Sequence, residues 1–362
     1  MSPTDLESRA RQGDVRAQVS WAARLDDEGR HYEALEWLAR AAKTDDAEAM
    51  RVLGLKLITG VDAPFRPKDG VSLLADAAAR GDGQAASVVS VLAAGGFHAP
   101  QNWSAALDYL QRSAELGFGP AQSQLWLLAA PAALAAAGPA RRWRQLRESV
   151  DVQAWRQPPP ARQLLDVPRV LTVEQLLPAA ICDWIIGQSA PRLVRAEVTD
   201  PKTGRTIMGS TRTNRVANFG LAETSLLNLL IQTRIAAVLG APVTMMEAFA
   251  VLNYRPGEEA SEHHDYLDPA VAAYADDIAR LGQRVATALV YLNDDYEGGE
   301  TDFPELGIRH RGGKGDVLIF LSVDASGAPD PRTLHAGRPP TRGEKWVLSQ
   351  FIRNKPLVGA SS

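Results

Sequence analysis

Gly282 to Ser322 reads GQRVATALVYLNDDYEGGETDFPELGIRHRGGKGDVLIFLS, and the punctuation of this stretch decides the fold of the second half of the chain. Val285 to Leu292 and Val317 to Leu321 are apolar runs of strand length, rich in β-branched residues, and read as buried strands. Gly298-Gly299 and Gly312-Gly313 supply turns. Upstream, Ala248 to Tyr254 (AFAVLNY) is another β-type run, closed by the turn RPGEE, and downstream Lys345 opens a last strand, KWVLSQFIR. Short strands counted this way predict an antiparallel double-sheet barrel.

Two ends of this barrel carry a pattern with chemical meaning. His263 and Asp265 stand at i and i+2, so on a strand their side chains share a face and can bind one ion, while His264 points elsewhere. His335 follows Asp265 by 70 positions and arrives on a distant strand. Two histidines and one carboxylate on one face of an octahedral ion leave the other positions open, the arrangement expected for non-heme Fe(II) that must also hold a cosubstrate and oxygen. Taken alone, the pattern also fits three surface residues. The ligand set admits a zinc-dependent hydrolase as well, but no residue supplies its general base and Lys345 would have no task.

Several motifs occur in a fixed order around the triad: YRPGEEASEHHDY, GQRVATALVYLND, GGETDFP, GDVLIF and HAGRPPTRGEKW. Together they resemble the prolyl 4-hydroxylase branch of the iron(II), 2-oxoglutarate-dependent oxygenases, over roughly Val167 to Arg353. The resemblance implies a double-stranded β-helix, or jelly roll, preceded by a supporting helix at about Thr172 to Ser189. It implies that His263, Asp265 and His335 are the catalytic metal ligands. Lys345 would pair with the distal carboxylate of 2-oxoglutarate, with Thr301 and Tyr254 adding hydrogen bonds, and Arg284 and Arg212 would contact substrate. Fe(II), 2-oxoglutarate and O2 are the implied cofactors, with ascorbate to keep the iron reduced. Three departures fall on the substrate side. Ala260 stands where an aromatic residue is common, Phe351 replaces a tryptophan, and Asn214-Arg215 follow Arg212-Thr213 in place of a serine and small residues.

Composition sets the frame. A chain of 362 residues holds two domains, and a net charge of −4 provides no basic field for nucleic acid. The single cysteine, Cys182, excludes an intramolecular disulfide and fits a reducing compartment; its neighbours AAICDWII make it a packed thiol. The N-terminal MSPTDLESRARQGD is charged where a secretory leader needs an apolar core, and no run approaches a membrane span. A cytoplasmic location is the expectation.

The first part of the chain repeats. Alanine recurs at 17, 49, 85 and 121, in steps of 32, 36 and 36, with a partner alanine seven residues earlier at 10, 42, 78 and 114. Gly13, Gly81 and Gly117 precede these alanines by four, and Asp45 takes that place in the second repeat. Such a period with paired small residues predicts a helix-turn-helix solenoid. EALEWLARAA, DGVSLLADAAARG and WSAALDYLQRSAELG each supply an amphipathic helix, and Trp21, Trp37, Trp103 and Trp126 are expected in the core. AELGFGPAQSQL and ARQGDVRAQVSWAARL resemble Sel1-like, tetratricopeptide-related repeats over roughly Asp5 to Leu128, which implies an interaction module. Pro158 to Pro160 end a helical, basic connecting segment.

The expected organisation is therefore an all-α solenoid (1–130), a helical, proline-rich linker (131–165) and a jelly-roll oxygenase domain (166–356). The expected reaction is hydroxylation of an unactivated C–H bond, first of a prolyl or other residue in a protein or peptide that the solenoid recruits, giving succinate and CO2. The alternatives are a hydroxylase of a free amino acid or small metabolite, and a non-enzymatic adaptor with a degenerate barrel. No nucleic-acid or membrane partner is expected.

Overall fold

The computed structural model describes residues 3–129, 139–196, 198–199, 206–207 and 212–357. They fall into two compact units, one within Met1–Val152 together with Leu221–Leu229, the other within Gln153–Gly220 and Leu230–Gly359.

The first unit is a run of helices, each packed on the next: α1 Pro3–Arg11, α2 Val15–Asp27, α3 His31–Ala42, α4 Ala47–Thr59, α5 Pro67–Ala79, α6 Gly83–Gly95, α7 Trp103–Glu115, α8 Gly119–Leu128 and α9 Pro139–Ser149. The repeat is a physical one. All eight recurring alanines are at most 8% exposed, because only a small side chain fits where paired helices approach. Each hairpin turns on a left-handed residue: Gly13 (φ 91°), Asp45 (φ 65°), Gly81 (φ 98°) and Gly117 (φ 85°). Aspartate is among the few residues that tolerate this conformation, which accounts for its place in the second repeat. Asp14, Asp46 and Asp82 then cap α2, α4 and α6, each carboxylate accepting from the backbone N–H of the repeat alanine three residues on. Asp82 also pairs with Arg51 at 2.8 Å. Asp82→Ala is expected to cost about 1–2 kcal/mol, read as a lowered Tm of the solenoid transition.

Of the four tryptophans expected in the core, only Trp21 is fully buried, at 6% exposure. Trp37 and Trp103 are half-buried. Trp126 is 44% exposed, because Ala121, Gln124, Leu125 and Leu128 occupy the inner face of α8 and position 126 lies on the opposite side.

The remaining elements are α10 Val152–Arg156, β1 Arg162–Leu165, β2 Val170–Val173, α11 Ala179–Ser189, β3 Val194–Arg195, β4 Val198–Thr199, β5 Thr206–Ile207, β6 Arg215–Asn218, α12 Leu226–Leu239, β7 Ala250–Tyr254, β8 Ala260–His263, α13 Ala272–Leu281, β9 Arg284–Tyr291, β10 Glu297–Gly298, β11 Thr301–Phe303, β12 Ile308–His310, β13 Val317–Leu321, β14 His335–Gly337, β15 Pro340–Arg342 and β16 Lys345–Arg353. An eight-stranded sheet runs β1-β2-β13-β9-β16-β7-β6-β3 and a four-stranded sheet runs β12-β11-β14-β8; β10 pairs with β15 and β4 with β5, and every pairing is antiparallel. A buried cluster of Val170, Tyr291, Leu318, Phe320 and Val347 from the large sheet with Phe303 from the small one binds the two together. This is the jelly-roll architecture expected.

One boundary differs. The supporting helix begins at Ala179, after Pro178, and not near Thr172. Val170 to Val173, β-branched at every position but Leu171, instead pair with β13, Thr172 opposite Leu318, and the Thr172 hydroxyl donates to the Val317 carbonyl at 2.9 Å. β-Branched residues suit a strand paired inside the core. Cys182 is buried on α11, and burial pushes its thiol up to about 12, as a packed thiol requires. No described helix is long and apolar enough to cross a membrane.

Candidate active site

Pairing of β14 with β8 sets His335 directly opposite His263, and their rings lie 4.4 Å apart between centroids. Asp265 sits two residues past His263, just beyond the end of β8, and its carboxylate still reaches both rings: Oδ1 is 3.5 Å from His263 Nε2 and Oδ2 is 3.4 Å from His335 Nε2. The three ligand atoms lie within 4.8 Å of one another, the single metal-competent cluster of its kind among the described residues. His264 turns away as expected, with Nε2 on the Pro331 carbonyl at 2.9 Å and its ring stacked on Tyr266.

A backbone carbonyl fixes each histidine ring. His263 Nδ1 lies 2.8 Å from the Ser261 carbonyl and His335 Nδ1 lies 3.0 Å from the Thr333 carbonyl. A carbonyl only accepts, so each Nδ1 carries the proton and each Nε2 keeps its lone pair. Burial lowers His335 to about 4, which keeps it neutral. Burial alone would raise the Asp265 pKa, but His335 and His263, in their protonated forms, and the Thr287 hydroxyl outweigh it and hold the carboxylate well below its ordinary range. Two neutral imidazoles and an ionised carboxylate are what a divalent iron ion takes, so the residues present fit the group.

The same cavity, about 390 Å³ and partly open to solvent, is lined by Lys345, Thr301, Tyr254 and Arg212 as well as the triad. Lys345 begins β16 opposite Tyr254 on β7 and is 2% exposed. Its ammonium is 5.3 Å from the Tyr254 ring centroid and 5.7 Å from that of Tyr291. No ion pair joins it to a carboxylate among the described residues, and burial lowers it to about 8. Burial of a cation without a paired carboxylate is costly. Thr301 is fixed by a 2.9 Å hydrogen bond between its hydroxyl and that of Tyr291. Burial raises Tyr254, which stays a neutral phenol.

The structure thus brings seven of the eight expected site residues to one cavity. The eighth, Arg284, does not line it. Its guanidinium donates to Glu247 at 2.8 and 2.9 Å and stacks 3.8 Å over the Phe351 ring, so a carboxylate and an aromatic face already engage it. Residues not foreseen from the sequence also reach the site. Thr287, Leu289 and Tyr291 alternate along β9 on one face: Thr287 bonds Asp265, Leu289 lines the cavity and Tyr291 bonds Thr301. Ser349 and Val347 line the cavity from β16. The signal was period-two spacing from known positions, since Lys345, Val347 and Ser349 share a face.

Comparison with known proteins agrees with this geometry. Residues 249–353 match the 2OG-Fe(II) oxygenase superfamily. Prolyl 4-hydroxylase 1 of Arabidopsis thaliana is 34% identical over 202 residues, covering 52% of this chain and 70% of that protein. The 2OG complex of the viral collagen prolyl hydroxylase from Paramecium Bursaria Chlorella virus-1 is similar at 28% identity, over 51% of this chain and 95% of that one, with a TM-score of 0.39. The helical part is similar to a Sel1 repeat protein from Oxalobacter formigenes at 26% identity, over 34% of this chain and 96% of that one, with a TM-score of 0.31. A His-Asp-His triad that could hold a metal ion, a family match over residues 249–353 and a relative matched over most of its length lead to one conclusion: this chain belongs to the 2OG-Fe(II) oxygenase superfamily, as a prolyl 4-hydroxylase-like dioxygenase that uses Fe(II), 2-oxoglutarate and O2.

Proposed function

We propose that the chain hydroxylates an unactivated C–H bond of a prolyl or other residue in a protein or peptide. The C–H becomes C–OH with one oxygen atom of O2, while the other enters succinate as 2-oxoglutarate loses CO2. The observation that carries this reading is the buried ammonium of Lys345, unpaired in the cavity that also holds His263, Asp265 and His335. In it, the triad holds the iron, which when bound supplies the oxygen-activating chemistry. Lys345 binds the distal carboxylate of the cosubstrate, Thr301 and Tyr254 orient it as neutral hydrogen-bond partners, and the apolar walls Leu252, Leu289 and Val347 exclude water.

Arg212 is the proposed substrate contact. It lines the cavity, it is bridged to Ala260 through the backbone, and Thr213 beside it exchanges hydrogen bonds with Glu259 at 3.0 and 2.8 Å, which fastens the segment close to the start of β8. Arg284 has a supporting part in this reading, because Glu247 and Phe351 hold it. Protein recruitment by the helical repeats completes the proposal; its support is the run of successively packed helices α1 to α8.

The test uses the full chain with Fe(II) and 2-oxoglutarate, first without oxygen and then with it. A weak visible metal-to-ligand band is expected on mixing, and candidate peptides and free amino acids are then screened by mass for a gain of one oxygen. Absence of the band overturns the oxygenase chemistry, and oxygen gained by free amino acids alone overturns the protein-substrate reading. Arg212→Gln is expected to raise KM for the oxygen-accepting substrate roughly tenfold or more, the scale of a lost charge-assisted hydrogen bond, and to leave the visible band in place.

A further inference from the structure

The three candidate ligands are held in place by different means. His263 and His335 sit on paired strands, and each ring is tied by Nδ1 to a backbone carbonyl two residues earlier in its own chain segment. Asp265 has no such support, since β8 ends at His263 and no strand pairing fixes position 265. Its side-chain tie reaches across the barrel instead. The Thr287 hydroxyl, on β9 of the eight-stranded sheet, lies 2.8 Å from Asp265 Oδ2. An ionised carboxylate only accepts, so Thr287 donates. Thr287 is 0% exposed and Asp265 is 6% exposed, so water does not compete for this bond.

We propose that Thr287 is a positioning residue for the metal: it fixes the rotation of the Asp265 carboxylate against His263 and His335 and so sets the affinity of the site for a divalent ion. This inference rests on the reading of the triad as the iron site. Position 287 joins the carboxylate ligand, which follows the end of β8 in the small sheet, to the large sheet, so the placement of this donor depends on both sheets. The physical ground is general. A carboxylate held by one hydrogen bond presents its free lone pairs in one direction, whereas an untied one must give up rotational freedom each time it binds an ion. β-Branching also limits Thr287 at χ1, so the hydroxyl is aimed before the metal arrives.

Thr287→Val keeps the shape and removes the donor. The test is equilibrium binding of Mn(II), a redox-inert stand-in for Fe(II), to the full chain, read from the loss of the free aqueous Mn(II) magnetic-resonance signal. The dissociation constant is expected to rise about 10–100-fold in Thr287→Val and to stay within about threefold of the original in Thr287→Ser, which restores the hydroxyl. Thr287→Ala is expected to match Thr287→Val, and it takes its place where valine prevents folding, judged from thermal unfolding without metal. An unchanged affinity in the folded valine or alanine variant overturns the proposal, as does a serine variant as weak as either. Lack of Mn(II) binding by the unsubstituted chain overturns the metal reading itself, an outcome distinct from these.

Discussion

Lys345→Met raises the dissociation constant for 2-oxoglutarate by roughly 10²–10³-fold, the scale expected when one partner of a desolvated ion pair is removed. The same substitution is expected to stabilise the protein without 2-oxoglutarate, because it replaces a buried, unpaired ammonium with an apolar chain of similar length. A stabilised apoprotein together with lost binding separates a ligand-binding lysine from a structural one, for which both would fall. Thermal unfolding and titration of the visible band with 2-oxoglutarate measure the two. The pH dependence has a definite sign. Burial lowers Lys345 to about 8 from its ordinary 10.5, so the unfolded chain holds one more proton than the folded one between those values. Stability of the unliganded protein therefore rises with pH through that window. Affinity for 2-oxoglutarate runs the other way. It is full below about pH 8, where the ammonium is present, and falls by up to about tenfold per unit above it. An affinity unchanged from pH 7 to 9.5 contradicts the assignment of Lys345.

The second large effect concerns the metal. His263→Ala, Asp265→Ala and His335→Ala are each expected to abolish the visible band and to lower turnover by on the order of 10³-fold or more. The double replacement of His263 and Asp265 is expected to fall no further than either single one, because the ligands act as a unit. Retention of the band in the double variant would falsify the triad. Asp265→Ala carries a further consequence: His335 loses the adjacent carboxylate, the main group that opposes burial there, and its ring stays neutral.

Both expectations began in the sequence, where period-two alternation is legible whenever a strand faces a filled interior. It placed His263 and Asp265 on one side and His264 on the other, and it marked Lys345 as the start of a strand. The repeat spacing was legible for a similar reason. Helices that pack at a fixed distance need a small residue at each contact, and all the recurring alanines lie at such contacts. The sequence misled where a local pattern met a tertiary partner. The resemblance placed Thr172 and Val173 in the supporting helix but they pair with β13, Trp126 had helical spacing but no inner-face position, and Arg284, expected near the substrate, is held by Glu247 and Phe351.

The candidate triad and the jelly-roll class were legible in the sequence through ordered motifs that resemble a family, and the solenoid through the spacing of its small residues. The convergence of His335 on His263, the burial of Lys345 opposite Tyr254 and the bond from Thr287 to Asp265 were decided only by tertiary structure. Each joins residues on different strands, and the register between strands far apart in the chain is fixed by how two twisted sheets pack on a shared core, which no local pattern encodes.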